Sequence, residues 1–410
     1  MKARNRLFIA ASLVLIAALI ATPAIAQRRG SMDRSLITGQ VLISNGPEGP
    51  IKGGESAIVN MLLMGNGKVY GATEATYGAE NCHLFSFEGE TSSHVLNLTK
   101  KIAGQTKISN IAYGPAGTIV GGTSTYNEVF DNAKNKYDGG HLFSFDPATS
   151  AFVDHGIVMD GQGINCVAVD TLHSRIYCVT YPKAHLFSLD YKTGEKKDYG
   201  MVMKEWRVKD LGLVSWRGVP KVLMIDDAGT VYFSTYFDEG AKADDQGDPF
   251  NSGLKGGRIL RMAYGDDAPT FTGALVPTQM GMDNDPIYEN TILAATKAKD
   301  GGFWCGSSVD GFLFKFYPST STVVNYGKAF NYWGVKSFAY GGDGSLYMLG
   351  GRDYDYSWIM KYDAVTRSFD NIGYTVNTAQ VSAICADKDG NILMGENLRN
   401  SYIYIYGGSQ

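Results

Sequence analysis

Residues 114–159 read GPAGTIVGGTSTYNEVFDNAKNKYDGGHLFSFDPATSAFVDHGIVM, and this stretch decides the fold. A tight turn, GPAG, opens it, and the β-branched run TIVGGT follows. A long polar loop leads into HLFSF, and FVDHGIVM ends the stretch with a glycine set inside a strand pattern. Short apolar runs separated by Gly, Pro, Asn and Asp are the mark of antiparallel strands. The opening turn recurs as GNGKVYG (65–71), DTLHSRIYC (170–178), DDAGTVYF (226–233), KDGGFWCG (299–306), GGDGSLYM (341–348) and DKDGNILM (387–394). Asp, Asn and Gly supply the positive φ that a hairpin requires. The third strand recurs as HLFSFEG (83–89), HLFSLDY (185–191), RILRMAY (258–264), FLFKFYP (312–318), WIMKYDA (358–364) and YIYIYG (402–407). A unit repeated every 40 to 60 residues or so indicates a solenoid or propeller. Seven turns predict an all-β, seven-bladed β-propeller.

Each unit should hold four strands, the fourth carrying a glycine, as in KDYGMVM (197–203) and FDNIGYTV (369–376). The last unit runs out at Gln410 before its fourth strand, and LITGQVLISNG (36–46) carries the missing pattern. The N-terminal strand is therefore expected to complete the last blade, removing a free sheet edge. Residues 1–26 read as a secretory signal: Lys2, Arg4 and Arg6, an apolar run from Leu7 to Ile20, then Ala24-Ile25-Ala26. Residues 27–410 read as one domain, secreted or periplasmic, monomeric, and with no membrane span after signal removal.

The formal charge of −4 becomes about −7 once those three cations are removed, which argues against nucleic acid as a partner. Of the five cysteines, Cys82, Cys166, Cys178, Cys305 and Cys385, most sit in apolar strand patterns as small hydrophobes. Cys166 and Cys178 can face each other across one hairpin, a disulfide that export would permit. There is no CxxC or other metal-ligand spacing.

The residue that opens each third strand is the main functional signal. In order these are His83, His141, His185, Arg258, Phe312, Trp358 and Tyr402. A cationic half and an aromatic half on one rim suit an anionic polysaccharide or oligosaccharide. Arg holds carboxylates bidentately and aromatic faces stack on sugars. The alternative is that HLFSF is inherited by duplication and each His bonds a neighbouring turn. The loops at 123–140 and 234–257 are long and would wall a groove. His94, His155 and His173 read as surface residues. His83, His141 and His185 are candidate Zn²⁺ or Mn²⁺ ligands, and the acidic run 244–248 a candidate Ca²⁺ loop.

The GGHLFSFDP unit, the TYPKAHLF segment (180–187) and the terminal closure resemble the seven-bladed propeller polysaccharide lyases, ulvan lyases in particular. The resemblance implies β-elimination on a uronate-containing, ulvan-like polysaccharide. It implies catalytic roles for His141, Tyr236 and Arg258. A second histidine of that pattern is replaced here within GQGIN (161–165), where Gln162 or Asn165 stands, and His185 is the candidate substitute. Tyr181 and Lys183 would line the floor, and Arg352, Tyr354 and Trp358 would contact neighbouring sugars. Two other classes remain: a non-catalytic glycan- or partner-binding propeller of the cell envelope, and a propeller hydrolase or metal-dependent lactonase.

Overall fold

The computed structural model describes residues 37–42, 57–75, 80–89, 91–125, 137–203, 206–208, 213–215, 219–235, 257–278, 291–308, 310–331, 334–351, 357–375, 380–397 and 402–407. All of them lie in one compact unit, Ile37–Gln410. Residues 1–26, read as a secretory signal, the acidic run 244–248 and most of both long loops lie outside the described residues.

Each of the seven turns closes an antiparallel hairpin, as its Gly/Asn/Asp chemistry requires. Third strands begin at the expected openers: His83, His141, His185, Arg258, Phe312, Trp358 and Tyr402. Ile37–Leu42 pairs antiparallel with Tyr402–Tyr406, with Gln40 opposite Tyr404, so the N-terminal strand supplies the last sheet's outer strand.

The sheets partition differently from the expectation of seven separate blades. Five are discrete four-stranded blades, spanning 163–201, 224–275, 292–328, 335–374 and 381–406 with the N-terminal strand. The strands between Ala57 and Ile157 form one eight-stranded sheet. Its halves join at a single pair, Glu74 opposite Lys107, whose side chains form a 3.0 Å ion pair. Turn chemistry reports hairpins; it does not report whether two neighbouring sheets share an edge. A further two-stranded ribbon, Trp206–Val208 with Leu213–Ser215, had no counterpart in the sequence reading.

The first strands pack side by side around the ring. Ala57–Leu63 contacts Lys107–Tyr113, which contacts Gly163–Asp170; Ile292–Lys297 contacts Val335–Tyr340, which contacts Val381–Ala386, and that strand returns to Ala57–Leu63. Between the 224–275 and 292–328 blades, the Ile292 amide donates to Ser234 Oγ at 2.7 Å. The core consequently lies in layers between neighbouring sheets. One layer joins Tyr70 and Leu84 to Ile108 and Phe143, and another joins Tyr177 and Leu186 to Val231 and Phe233.

Register explains the small residues on the second strands. Gly71 lies opposite Phe85 and Gly121 opposite Phe143. A Cβ at either position would come within 2.1 or 2.3 Å of the phenyl ring. Cys178 and Cys305 occupy the same place opposite Phe187 and Phe314. These thiols are small fillers under an aromatic ring. All five cysteines are free and buried. Cys166 pairs with Val179 and Cys178 with Val167, so the two thiols sit one step apart on opposite sheet faces. The disulfide considered for them does not form.

The hairpin-turn end of the ring is stitched from turn to turn. Tyr113 OH donates to the Leu63 carbonyl at 3.0 Å, and Lys297 pairs with Asp227. The Gly342 amide donates to the Gly390 carbonyl at 3.3 Å. The one α-helix among the described residues is Leu98–Lys101, capped by Asn97, whose side chain accepts from the Lys100 amide. No helix among them is long and apolar enough to cross a membrane.

Candidate functional site

A buried hydroxyl at the end of each of several second strands sets the backbone of the third-strand opener. The His83 amide donates to Thr73 Oγ1 at 2.8 Å, His141 to Thr123 Oγ1 at 2.8 Å and His185 to Thr180 Oγ1 at 3.0 Å. Phe312 does the same to Ser307 Oγ at 2.9 Å. The rim is therefore built on fixed backbone, which suits a site whose side chains must be placed accurately.

The openers divide by what the fourth strand offers them. His141 Nδ1 lies 2.9 Å from Asp154 Oδ1, and His185 Nδ1 lies 3.1 Å from Asp198 Oδ2. Both imidazoles remain partly open, their side chains 16% and 17% exposed. Asp154 and Asp198 sit at fourth-strand bulges, where each also accepts the amide of a glycine two residues on, Gly156 or Gly200, at 2.7 Å. Those glycines have φ of 79° and 83°, and the bulge requires that left-handed backbone. The duplication alternative expected each His to bond a neighbouring turn; these two imidazoles instead meet the fourth strand of their own blade.

Arg258 lays its guanidinium over Phe271, 4.7 Å from the ring centre. Lys328 reverses the arrangement, standing over the ring of Phe312 at 5.4 Å. Trp358 is 38% exposed and leans on Tyr374, ring centres 5.1 Å apart. His83 departs from the others: it is buried, edge-on to His94 at 4.4 Å. The open imidazoles of this rim are those of His141 and His185. His155 is half-buried on Ser144 Oγ at 3.1 Å, and burial holds its pKa below the usual imidazole value. His173 pairs with buried Asp170 at 2.6 Å and stacks on Tyr264, so neither is the bare surface residue expected.

The residues expected to line a floor lie on or beside the 163–201 blade. Gln162, buried, accepts from the Lys183 amide at 2.8 Å, joining the strand that enters the blade to the turn before His185. Lys183 is exposed, and Tyr181 lies under Lys221 at 5.6 Å. Asn165 occupies the bulge of the inner strand and donates to the Pro220 carbonyl at 2.6 Å, so its amide serves a link to the next blade. Tyr236, Arg352 and Tyr354 lie outside the described residues. Thr235, which precedes Tyr236, pairs directly with Arg258. Among the described residues no three His, Cys, Asp or Glu side chains form a metal-holding group. His141 and His185 each engage an aspartate of their own sheet, and His83 lies against His94.

Sequence reasoning missed the hydroxyl hooks and the two aspartates. The hooks had a readable signal, a Thr or Ser closing the second strand in VYGAT, IVGGT and CVT. The aspartates had one too, the D-x-G of FVDHG and KDYG. It also missed the inserted ribbon. Its entry is tied by the Val202 amide to the Ala184 carbonyl at 2.9 Å, and its exit by Pro220 to Asn165.

A closed succession of antiparallel meanders with loops at one end defines a β-propeller. The comparisons agree on that class and go no further. The chain matches the streptogramin B lyase structure over 90% of its own length and 97% of that chain, at 11% identity and TM-score 0.59. It matches the extracellular domain of BT4673 from B. thetaiotaomicron at 14% identity and TM-score 0.56, covering 91% of this chain but 40% of that one. The WD40 propeller of Doa1 matches at 14% identity and TM-score 0.51, covering 91% and 98%. This chain thus spans about two fifths of the BT4673 domain. At such identities the likeness is one of fold. No family model and no curated protein sequence matches the chain.

Proposed function

We propose that this chain is an exported lyase that cleaves a uronate-containing polysaccharide by β-elimination. The observation that carries the reading is the rim of His141, His185 and Arg258. Three successive meanders place a nitrogen base, a second nitrogen base and a guanidinium at one structural position. In the proposed step a base removes the C5 proton of the uronate, a C4–C5 double bond forms, and the C4–O bond breaks. The departing oxygen takes a proton from an acid. Arg258 would neutralise the uronate carboxylate as charge develops, which lowers the barrier most in a water-poor groove. Tyr236 is assigned as the proton-transfer group and His141 as its acid/base partner, with His185 standing where the related pattern has its second histidine. Tyr181, Lys183 and Gln162 form the floor. The same reading takes the ring as seven units, each half of the eight-stranded sheet counting as one, and places the chain outside the cytoplasm.

The test is ultraviolet detection of unsaturated uronate product on ulvan, glucuronan, pectins and glycosaminoglycans. Arg258→Ala and Tyr236→Phe should each lose on the order of a hundredfold in rate. Full activity in either variant removes that residue's role. A second reading, a non-catalytic glycan-binding propeller, draws on exposed Trp358 with Tyr374 beside it, a surface on which a sugar ring can stack. Glycan binding without unsaturated product on any of these polymers selects it.

A further inference from the structure

We propose that Asp154 and Asp198 are positioning residues whose carboxylates hold His141 and His185 as the Nδ1–H tautomer, keeping the lone pair on Nε2. This deepens the lyase reading and rests on it for its purpose, but the tautomer claim stands on geometry alone.

The fold supplies its own control. At a fourth-strand bulge the side chain two residues before the glycine can accept that glycine's amide. In the 292–328 blade a neutral side chain provides it: Asn325 Oδ1 accepts from Gly327 at 2.8 Å, closely matching 2.7 Å at Asp154 and Asp198. The bulge therefore does not require a charge. A carboxylate stands at that place beside the two partly open imidazoles, His141 and His185, whereas the buried opener His83 has His94 there. Where the opener is Phe312 the residue is Asn325, where it is Trp358 the residue is Asn371, and where it is Arg258 the residue is Phe271. The charge follows the partly open histidines.

Stability is a weak reason for that pairing. Both aspartates are more than a third exposed, so a contact from each to its imidazole adds little stability. Chemistry is a better one. A carboxylate on Nδ1 fixes ring orientation and tautomer, leaving Nε2 able to accept a proton. The two dyads differ in one respect. Asp198 presents both oxygens to His185, at 3.2 and 3.1 Å, whereas Asp154 presents Oδ1.

That difference sets the experiment. Asp198→Asn keeps Oδ1 for the Gly200 amide and replaces Oδ2, the oxygen nearer Nδ1, with an NH₂ that favours Nδ1 as an acceptor. Nitrogen-15 NMR of the imidazoles in the whole mature chain should show His185 switching from the Nδ1–H to the Nε2–H form, with a melting temperature within a few degrees of the parent. Asn325→Asp should leave both histidine signatures unchanged. On any polysaccharide the parent cleaves, Asp198→Asn should lose on the order of a hundredfold in kcat with KM little changed. An unswitched His185 in Asp198→Asn, or a parent already in the Nε2–H form, overturns the proposal. A switch with full kcat overturns the catalytic purpose of Asp198. A parent inactive on every polymer defeats the lyase reading and leaves the tautomer result to be judged separately.

Discussion

At Gly121 the absence of a side chain is what lets the phenyl ring of Phe143 lie flat across the hairpin. Gly121→Ala should cost about 1–3 kcal/mol by overpacking, read as a lower denaturation midpoint with an unchanged slope. The cysteines opposite equivalent rings are inert for a related reason. Burial pushes the thiols of Cys82, Cys166 and Cys385 up to about 12, and raises Cys178 and Cys305 further. Native protein should not react with a thiol reagent near neutral pH, denatured protein should react at all five sites, and reductant should leave the melting temperature unmoved. His155 adds a pH dependence. Its folded pKa is lowered by burial, so the unfolded chain binds the proton more readily. The contribution is therefore complete above the unfolded value of about 6.5 and is lost as pH falls from there toward the folded one. His155→Gln should flatten the stability curve on that acid side, measured by urea titration at several pH values.

At the scale of the strand, the hydroxyl hooks are the devices that turn a repeated pattern into a rim. Thr180→Val preserves shape but strands the His185 amide, a loss of about 1–3 kcal/mol if the amide stays buried. The expected result is a lower melting temperature and faster exchange of that one amide, while Thr193→Val on the exposed turn should do neither. The seven hairpins and the third-strand openers were legible because turn chemistry and alternation are local. The ribbon at 206–215 was not, because WRV and LVS are too short to carry a period. The dyads were half legible. His141 and His185 stood out by recurrence, but their partners lie 13 residues on, and nothing in that spacing says that two strands are paired with a bulge between them.

For the whole ring, the decisive contact is between the two ends of the chain. Without Ile37–Leu42 the strand Tyr402–Tyr406 would present an open edge of unpaired backbone. A chain starting at residue 43 should melt at a clearly lower temperature and self-associate, as read by light scattering. A peptide covering residues 36–46, added in excess, should restore part of the loss. Rigidity at the hairpin-turn end and length in the loops at the other are complementary: stitches such as Gly342 to Gly390 hold one end of the ring while the rim end carries the variable segments.

Taken alone, the amino-acid order determined the strands, their turns, the openers and the return of the N-terminal strand to the last sheet. Each of those depends on neighbours a few residues apart, or on a pattern missing at one terminus and present at the other. Only the tertiary structure decided that two sheets share an edge at Glu74 and Lys107, that Cys166 and Cys178 face apart, and that His83 is sealed while His141 and His185 stay partly open against aspartates. Those outcomes hang on register and on which side chains meet across strands, and a one-residue slip reverses every face.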